Sequence, residues 1–271
     1  MAVQRARWRT SWAAHRGTGQ GSFGRMIAAW TSQEVLLLLR EPVAVFFSLA
    51  FPLVIYLFIG SPYANEQLDN GVRFIDFMFP TLVGTVAANL LLMGMPVYFA
   101  ELRSRGVDRR YKVLPLPGVV FAIAILVAML CLVALASAVI ITVVGIAHGL
   151  RPEAVSLGYL ALNLTLVAWL CCFGYLLGSL PFGARTTQAI SAAVFFVLFF
   201  GSGAAAPLEG LPEWIQVLTQ FNPLRHWFEW LTSAYTGAPL AHGTVWKSLV
   251  VLPVGAVLAL IGLWNQKKGA S

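Results

Sequence analysis

The sequence predicts an all-α integral membrane protein with six transmembrane helices. Of its 271 residues, 59% are hydrophobic and only 11% are charged, whereas about a quarter of the residues in a soluble domain are charged. The apolar residues gather in six runs, each long enough to cross a hydrocarbon core of roughly 30 Å with few or no charges inside. The Lys and Arg residues lie mostly outside these runs. The chain is therefore expected to form one membrane unit without a separate soluble domain.

The predicted spans divide the chain into three parts. Residues 1–41 form a basic cytoplasmic tail with an interfacial helix, residues 42–264 form the six-span transmembrane domain, and residues 265–271 form a C-terminal tail. The N-terminal tail is interpreted as mature protein, because a secretory signal places its apolar stretch soon after a short charged start. The six predicted spans are Val43 to Gly60, Phe74 to Phe99, Val119 to Ala147, Val155 to Leu180, Thr187 to Pro207 and Thr244 to Trp264.

The residues before the first span are compatible with a helix from Ser22 to Arg40. Its apolar side chains would lie near one face and its polar side chains on the other, which suits a helix in the membrane interface. Pro42 would end this helix. The alternative is a basic tail that only sets the topology. The residues near the apolar face are Phe23, Met26, Ile27, Trp30 and Leu37.

The basic residues flank the predicted spans unevenly. Six arginines precede the first span and five basic residues follow the second, whereas the opposite side carries only Arg73, Arg151, Arg225 and Lys247. Because Lys and Arg concentrate on the cytoplasmic side of membrane proteins, both termini are predicted to be cytoplasmic. The formal charge of +7 follows from this asymmetry and from attraction to anionic lipid, so no nucleic-acid partner is expected.

No pattern of catalytic or cofactor-binding residues stands out. A phosphate-binding loop of the form G-x-x-x-x-G-K-[ST] is absent from the sequence, and the stretch GTVWKS lacks the glycine before its lysine. The four histidines are scattered at spacings that build no metal site, and the three cysteines fall inside predicted spans. We therefore predict no catalytic residue, metal or cofactor in this chain.

The segment between the fifth and sixth predicted spans has the periodicity of an amphipathic helix. Pro212 suits its first turn and Pro223 its end. The helix is interpreted either as an interfacial anchor or as part of an outer re-entrant hairpin that closes the extracellular end of a path. Trp227, Trp230 and Tyr235, which follow it, are expected at the level of the lipid headgroups. Its apolar face consists of Leu211, Trp214, Ile215 and Leu218.

The stretch FAELRSRGVDRRYKVLPLPG gathers many charges between two apolar runs. If residues 100–112 are helical, Glu101 pairs with Arg105 and Asp108 pairs with Lys112, each acid four residues before its base. Gly106 lies between the two pairs and allows the chain to turn out of the second span. Two interpretations stay open, a solvated positive-inside loop and a docking helix for a cytoplasmic partner.

Three stretches resemble landmarks of the ABC-2 type export permeases, namely AELRSRGVDRRYKVLPLP, APLEGLPEWIQVLTQFNPLRHWFEWL and LLLLREPVAVFFSLAFPLVIYLFIG. The resemblance implies a bacterial cytoplasmic membrane protein that forms a homodimer or a heterodimer. It also implies a separate ATP-binding subunit, which holds ATP and Mg and docks on the loop after the second span, the coupling helix. Val107 and Asp108 depart from the commonest form of this loop. The coupling residues implied by the resemblance are Glu101, Arg103, Arg105, Gly106, Arg109 and Arg110.

The predicted spans hold only mild polar residues near their centres, whereas ion-coupled carriers usually keep a charged residue there. Hydrogen bonds between helices and contact with a substrate are both considered for these residues. Gly174 and Gly178 in the fourth span are interpreted as a packing pair. The candidate substrate-path residues are Asn89, Gln188, Ser191 and Ser202, and the other polar residues at depth are Thr81, Thr85 and Asn163.

The leading functional interpretation is the membrane subunit of an ATP-driven exporter. Its substrate would be a lipophilic or amphiphilic compound, such as a drug, a natural product or a lipid. The chain itself would not be an enzyme, because ATP hydrolysis would take place in the separate subunit. The alternatives are export of a lipid-linked glycan and a membrane scaffold that anchors a cytoplasmic partner without transporting anything.

Overall fold

The computed structural model describes residues 31–32, 35–36, 50–68, 71–104, 118–204, 212–240, 253 and 257. The regular elements in these ranges are helical, and a short 3₁₀ turn, Pro152–Val155, lies between α3 and α4. We number the helices α1 (Ala50–Gly60), α2 (Phe74–Ser104), α3 (Gly118–His148), α4 (Leu157–Ser179), α5 (Ala184–Phe200), α6 (Glu213–Thr219) and α7 (Pro223–Thr236).

The second, third and fourth predicted spans are confirmed as long apolar helices. α2, α3 and α4 are each long and apolar enough to cross a membrane, whereas α1 and α5 are shorter apolar helices. The first predicted span is described only from Ala50 onward. The sixth predicted span lies outside the described residues apart from Pro253 and Val257. The predicted interfacial helix also lies outside them, apart from four residues, and so do both tails.

α2 is one continuous helix of 31 residues whose turn geometry changes near the middle. Asn89–Gly94 forms a π-helical segment between two α-helical parts. Pro96 follows closely and has no N–H to donate to the preceding turn, and a wider turn is one way to absorb that loss. The predicted second span ended at Phe99, but the helix continues to Ser104. The first charged residues of the loop are therefore part of the span helix.

α2 is also the central helix of the bundle. It packs against α3, α4, α5 and α7. Leu91 and Leu92 of its π segment and Met95 just after it are at most 1% exposed. The peripheral helices instead turn apolar side chains outward, including Ile146 on α3 and Val197 on α5. Lipid tails are as apolar as these side chains, so the outward surface agrees with a membrane location.

Candidate functional site

The bundle has two ends, which we name after residues of α2. The Ser104 end holds the C-termini of α2 and α4 and the N-terminus of α5, and the Phe74 end holds the N-terminus of α2 and the C-termini of α3 and α7. The predicted coupling residues belong to the Ser104 end. Glu101 and Arg103 lie on the last turn of α2, whereas Arg105, Gly106, Arg109 and Arg110 lie outside the described residues.

Arg103 joins two helix ends. Its guanidinium donates hydrogen bonds to the carbonyl oxygens of Gly178 and Leu180, and the bond to Leu180 measures 2.7 Å. These carbonyls belong to the C-terminus of α4, where helical carbonyls have no partner within their own helix and the helix dipole favours a positive charge. Arg103, which the resemblance assigned to contact with another subunit, thus caps α4 within this chain.

Two glycines let α4 approach α2 at close range, as the packing interpretation of Gly174 and Gly178 predicted. A Cβ atom on Gly174 would lie 2.0 Å from the backbone oxygen of Leu91, in the π segment of α2. A Cβ atom on Gly178 would lie 3.2 Å from the Cα of Pro96 and the same distance from the ring of Phe99. The backbones of the two helices therefore meet without intervening side chains.

The candidate substrate-path residues occupy different environments. Asn89 opens the π segment of α2 and is partly exposed, Gln188 is exposed on α5, and Ser191 is fully buried on α5. α5 packs against the π segment, so Asn89 and Ser191 lie on neighbouring elements. Ser202 lies just past the end of α5, where its hydroxyl donates to the carbonyl of Phe199 at 2.6 Å. The Ser202 hydroxyl thus stabilises the turn after α5.

Sequence reasoning missed Thr187, which lies one turn before Ser191 on the same face of α5. Both hydroxyls are buried and find no hydrogen-bond partner among the described residues. A Thr and a Ser spaced by four residues in an apolar run is the signal that could have found this pair. The expectation of hydrogen bonds between helices was wrong for the other polar residues at depth. The hydroxyls or amides of Thr81, Thr85 and Asn163 donate to carbonyls of their own helices.

The amphipathic helix predicted between the fifth and sixth spans is present as α6, and it turns its apolar face outward. Trp214 and Leu218 are 66% and 61% exposed, and Ile215 is partly buried. Thr219 is buried on the other side, and its hydroxyl accepts a hydrogen bond of 2.8 Å from the Arg225 guanidinium. Pro212 was predicted in the first turn and is the N-cap residue directly before it, and Leu211 lies outside the described residues. The Thr219–Arg225 hydrogen bond therefore joins α6 to α7, while most of the apolar face of α6 is exposed.

Pro223 was predicted to end this helix, but it is the first residue of the next one, α7. Asn222 caps α7, because its side chain accepts a hydrogen bond from the N–H of Leu224 at 2.9 Å. The same side chain donates to the carbonyl of Leu198 on α5 at 2.7 Å. Asn222 thus fixes the start of α7 to the end of α5. A cap residue followed by proline at the first helical position was the sequence signal for this helix.

The prediction that Trp227, Trp230 and Tyr235 lie at the headgroup level stays a prediction, but Trp227 and Tyr235 do not face the lipid. Both side chains are buried in the protein, 4% and 0% exposed, because α7 packs along α2. The ring of Tyr235 lies 5.0 Å from that of Phe79 on α2. The ring of Phe228 occupies the space that a side chain on Gly84 would need, 2.5 Å from its Cβ position. α7 is therefore part of the core of the bundle.

An ion pair organises the Phe74 end. The Arg73 guanidinium donates two hydrogen bonds of 2.9 Å to the two carboxylate oxygens of Asp76, which is 6% exposed. A third bond, of 3.2 Å, reaches the carbonyl of His148 at the end of α3. The hydrogen bonds to Asp76 raise the pKa of Arg73 above its usual value. Arg73 thus joins the start of α2 to the end of α3.

Arg151 makes the corresponding contact to α7. Its guanidinium donates to the carbonyl of Thr236, the last residue of α7, at 3.1 Å. Its backbone N–H donates to the hydroxyl of Tyr235 at 3.0 Å. The segment between α3 and α4 therefore holds the C-terminus of α7 in place. Arginines that join one element to the C-terminal carbonyls of another helix occur at both ends of the bundle.

We expect Asp76→Asn to lower the stability of the purified protein by about 1 to 2 kcal/mol, because it removes a bidentate charge-assisted pair whose arginine is partly exposed to solvent. Thermal unfolding in detergent measures this loss. Glu66→Gln is the matched control, since Glu66 is exposed and its carboxylate forms no ion pair with a described residue. Equal melting temperatures for Asp76→Asn and the wild type would contradict a stabilising role for the pair.

A bundle that contains three long apolar helices and turns apolar side chains outward has the architecture of an α-helical integral membrane protein. The family model of the ABC-2 type transporters matches residues 23–236, and the chain belongs to that family. A protein of Cyanophora paradoxa named "Putative transport permease ycf38" is 27% identical to it over 215 residues, which cover 73% of this chain and 69% of that protein. Members of the family are membrane components of transporters and normally work with an ABC ATP-binding subunit.

Proposed function

We propose that this chain is the permease subunit of an ATP-driven exporter that moves a lipophilic or amphiphilic compound out of the cytoplasm or the inner leaflet. The observation that carries the proposal is the family match over residues 23–236, in a sequence that has no nucleotide-binding loop of its own. The chain therefore needs a separate subunit to hydrolyse ATP. The substrate class is proposed from the resemblance to export permeases, and the mild polar residues of the predicted spans are compatible with it.

The partner subunit is proposed to dock at the Ser104 end. α2 carries Glu101 and Arg103 on its last turn, and the remaining coupling residues follow directly in the sequence. A helix that runs without a break from the centre of the bundle to a docking segment can carry a displacement in either direction. A second permease chain is proposed to complete the transporter, as the resemblance implies.

The candidate path is proposed to run along α2 and α5. The wide turn of α2 at Asn89–Gly94 faces α5, where Thr187 and Ser191 hold hydroxyls without partners among the described residues. π-helical segments are frequent at functional sites. A few polar groups in an apolar surrounding would orient an amphiphilic substrate without excluding its apolar part.

Transport assays in inverted membrane vesicles test this proposal. The vesicles contain the permease with a co-expressed ATP-binding subunit, and the probe is a fluorescent lipophilic dye. We expect ATP-dependent dye accumulation that is lost with a hydrolysis-deficient subunit. Accumulation of a lipid-linked glycan instead of the dye would support the glycan alternative. Binding of the subunit without any substrate-stimulated hydrolysis would support a scaffold and contradict the proposal.

The proposed direction requires the Ser104 end to be cytoplasmic. In a chain whose native cysteines are replaced by alanine, we expect a cysteine at Asp69 or Gly210 to react with a membrane-impermeant maleimide added to intact cells. A cysteine at Asp108 should react only after the cells are opened, because the basic residues around it favour the cytoplasm. Labelling at Asp108 in intact cells would show that every loop lies on the side opposite to the predicted one.

A further inference from the structure

The C-terminus of α4 combines local hydrogen bonds with bonds from another helix. Its late carbonyls lack partners from a following turn. The carbonyl of Leu176 accepts from the hydroxyl of Ser179 at 2.7 Å, and that of Leu177 accepts from the N–H of Leu180 at 3.3 Å. The next carbonyl, that of Gly178, accepts from Arg103 on α2, as does the carbonyl of Leu180. The carbonyl of Leu180 also accepts from the N–H of Phe182, at 2.8 Å. Arg103 is therefore the partner of the Gly178 carbonyl and a second donor to the Leu180 carbonyl.

The surrounding contacts restrict the movement of the C-termini of α2 and α4 relative to each other. Gly178 brings the α4 backbone against Pro96 and Phe99 of α2. The ring of Phe99 packs edge-on against that of Tyr175, with a centroid distance of 5.8 Å. The planar fork of a guanidinium can bond two acceptors at once, which a lysine ammonium does with less geometric definition. The ends of α2 and α4 thus form one unit.

We propose that Arg103 is a positioning residue that fixes the coupling segment to α4, so that a displacement of this segment moves α2 and α4 together. The proposal rests on the proposed function and replaces the contact with the ATP-binding subunit that the resemblance implied for Arg103. Arg73 and Arg151 join helix ends in the same way at the Phe74 end. The difference is that Arg103 lies within the coupling segment, on which the ATP-binding subunit is proposed to act.

The first test compares subunit binding with transport in the assembled complex. We expect Arg103→Ala to retain copurification of the ATP-binding subunit within about twofold of wild type, while substrate-stimulated hydrolysis and dye accumulation fall about tenfold. Arg103→Lys should recover part of the loss, since it keeps the charge and one donor group. Arg185→Ala is the matched control, because Arg185 is exposed at the start of α5 on the same end of the bundle.

Two outcomes of this test would overturn the proposal. Loss of the ATP-binding subunit from Arg103→Ala, with Arg185→Ala normal, would make Arg103 a contact residue between subunits. If Arg103→Ala hydrolyses ATP and accumulates dye at the wild-type rate, the hydrogen bonds from Arg103 to α4 have no role in coupling. If Arg103→Ala does not fold, Arg103→Lys carries the same comparison, with reduced transport and normal binding expected.

A second measurement needs no substrate, ATP or partner, so it separates this proposal from the proposed function. Spin labels are placed at Ser104→Cys and Phe182→Cys in a chain without native cysteines, and their dipolar coupling is recorded. We expect a narrow distance distribution with Arg103 and a broad one with Arg103→Ala. A distance distribution that Arg103→Ala leaves unchanged would show that Arg103 does not hold the two helix ends together. If Arg103→Ala broadens the distribution but the wild type does not transport, only the proposed function is refuted.

Discussion

Gly174→Ala is expected to be among the most destabilising single substitutions in α4. The added methyl would lie 2.0 Å from the backbone oxygen of Leu91, so the helices themselves must move apart. Overpacking of this kind costs typically 1–3 kcal/mol, and here it exceeds the gain of about 1 kcal/mol that alanine brings to a helix. A net loss of about 2 kcal/mol should lower the melting temperature in detergent by roughly 5 °C.

Gly158→Ala provides the control for this substitution in the same helix. Nothing lies within 4 Å of the Cβ position of Gly158, so we expect a melting temperature equal to that of the wild type or slightly higher. A Gly174→Ala protein that melts with the wild type would show that α4 does not approach the π segment of α2 this closely.

Charge reversal in the coupling segment is expected to produce the largest functional effect. Glu101→Lys, or Arg109→Glu combined with Arg110→Glu, places like charges opposite a partner surface that is complementary to the wild type. Close charge pairs at an interface can couple by about 1.5–7 kcal/mol, more than exposed pairs, because water is partly excluded. We expect copurification of the ATP-binding subunit to fall at least about tenfold and substrate-stimulated hydrolysis to be lost.

Membrane insertion should survive Glu101→Lys, because the substitution adds positive charge where positive charge already gathers. A loop that only sets topology would be unaffected or strengthened, so this substitution separates the two interpretations. Arg185→Glu serves as the control for a charge reversal elsewhere on the Ser104 end. If Glu101→Lys protein binds its subunit and exports normally, Glu101 is not a coupling residue, and the segment is better interpreted as a solvated loop that sets topology.

α6 and α7 show what helical periodicity predicts and what it leaves undetermined. The repeat through Trp214 and Leu218 correctly predicted a helix, but not that its apolar face would turn away from the protein. Amphipathicity shows that a helix has two faces, and in a membrane protein the apolar one can face either lipid or the core. For α7, the capping residue Asn222 was present in the sequence, but Pro223 was interpreted as an end. Proline is compatible with both positions.

The sequence by itself determined the helical membrane class, three of the spans and the location of the charged segment after α2. These features depend on composition and on spacings of a few residues, which act locally. Only the tertiary structure decided that Arg103 caps α4, that Gly174 meets the backbone of Leu91 and that Tyr235 lies in the core. Each of these contacts joins residues more than seventy positions apart. They form only where helix packing brings two backbones together, and no local pattern records which helices will be neighbours.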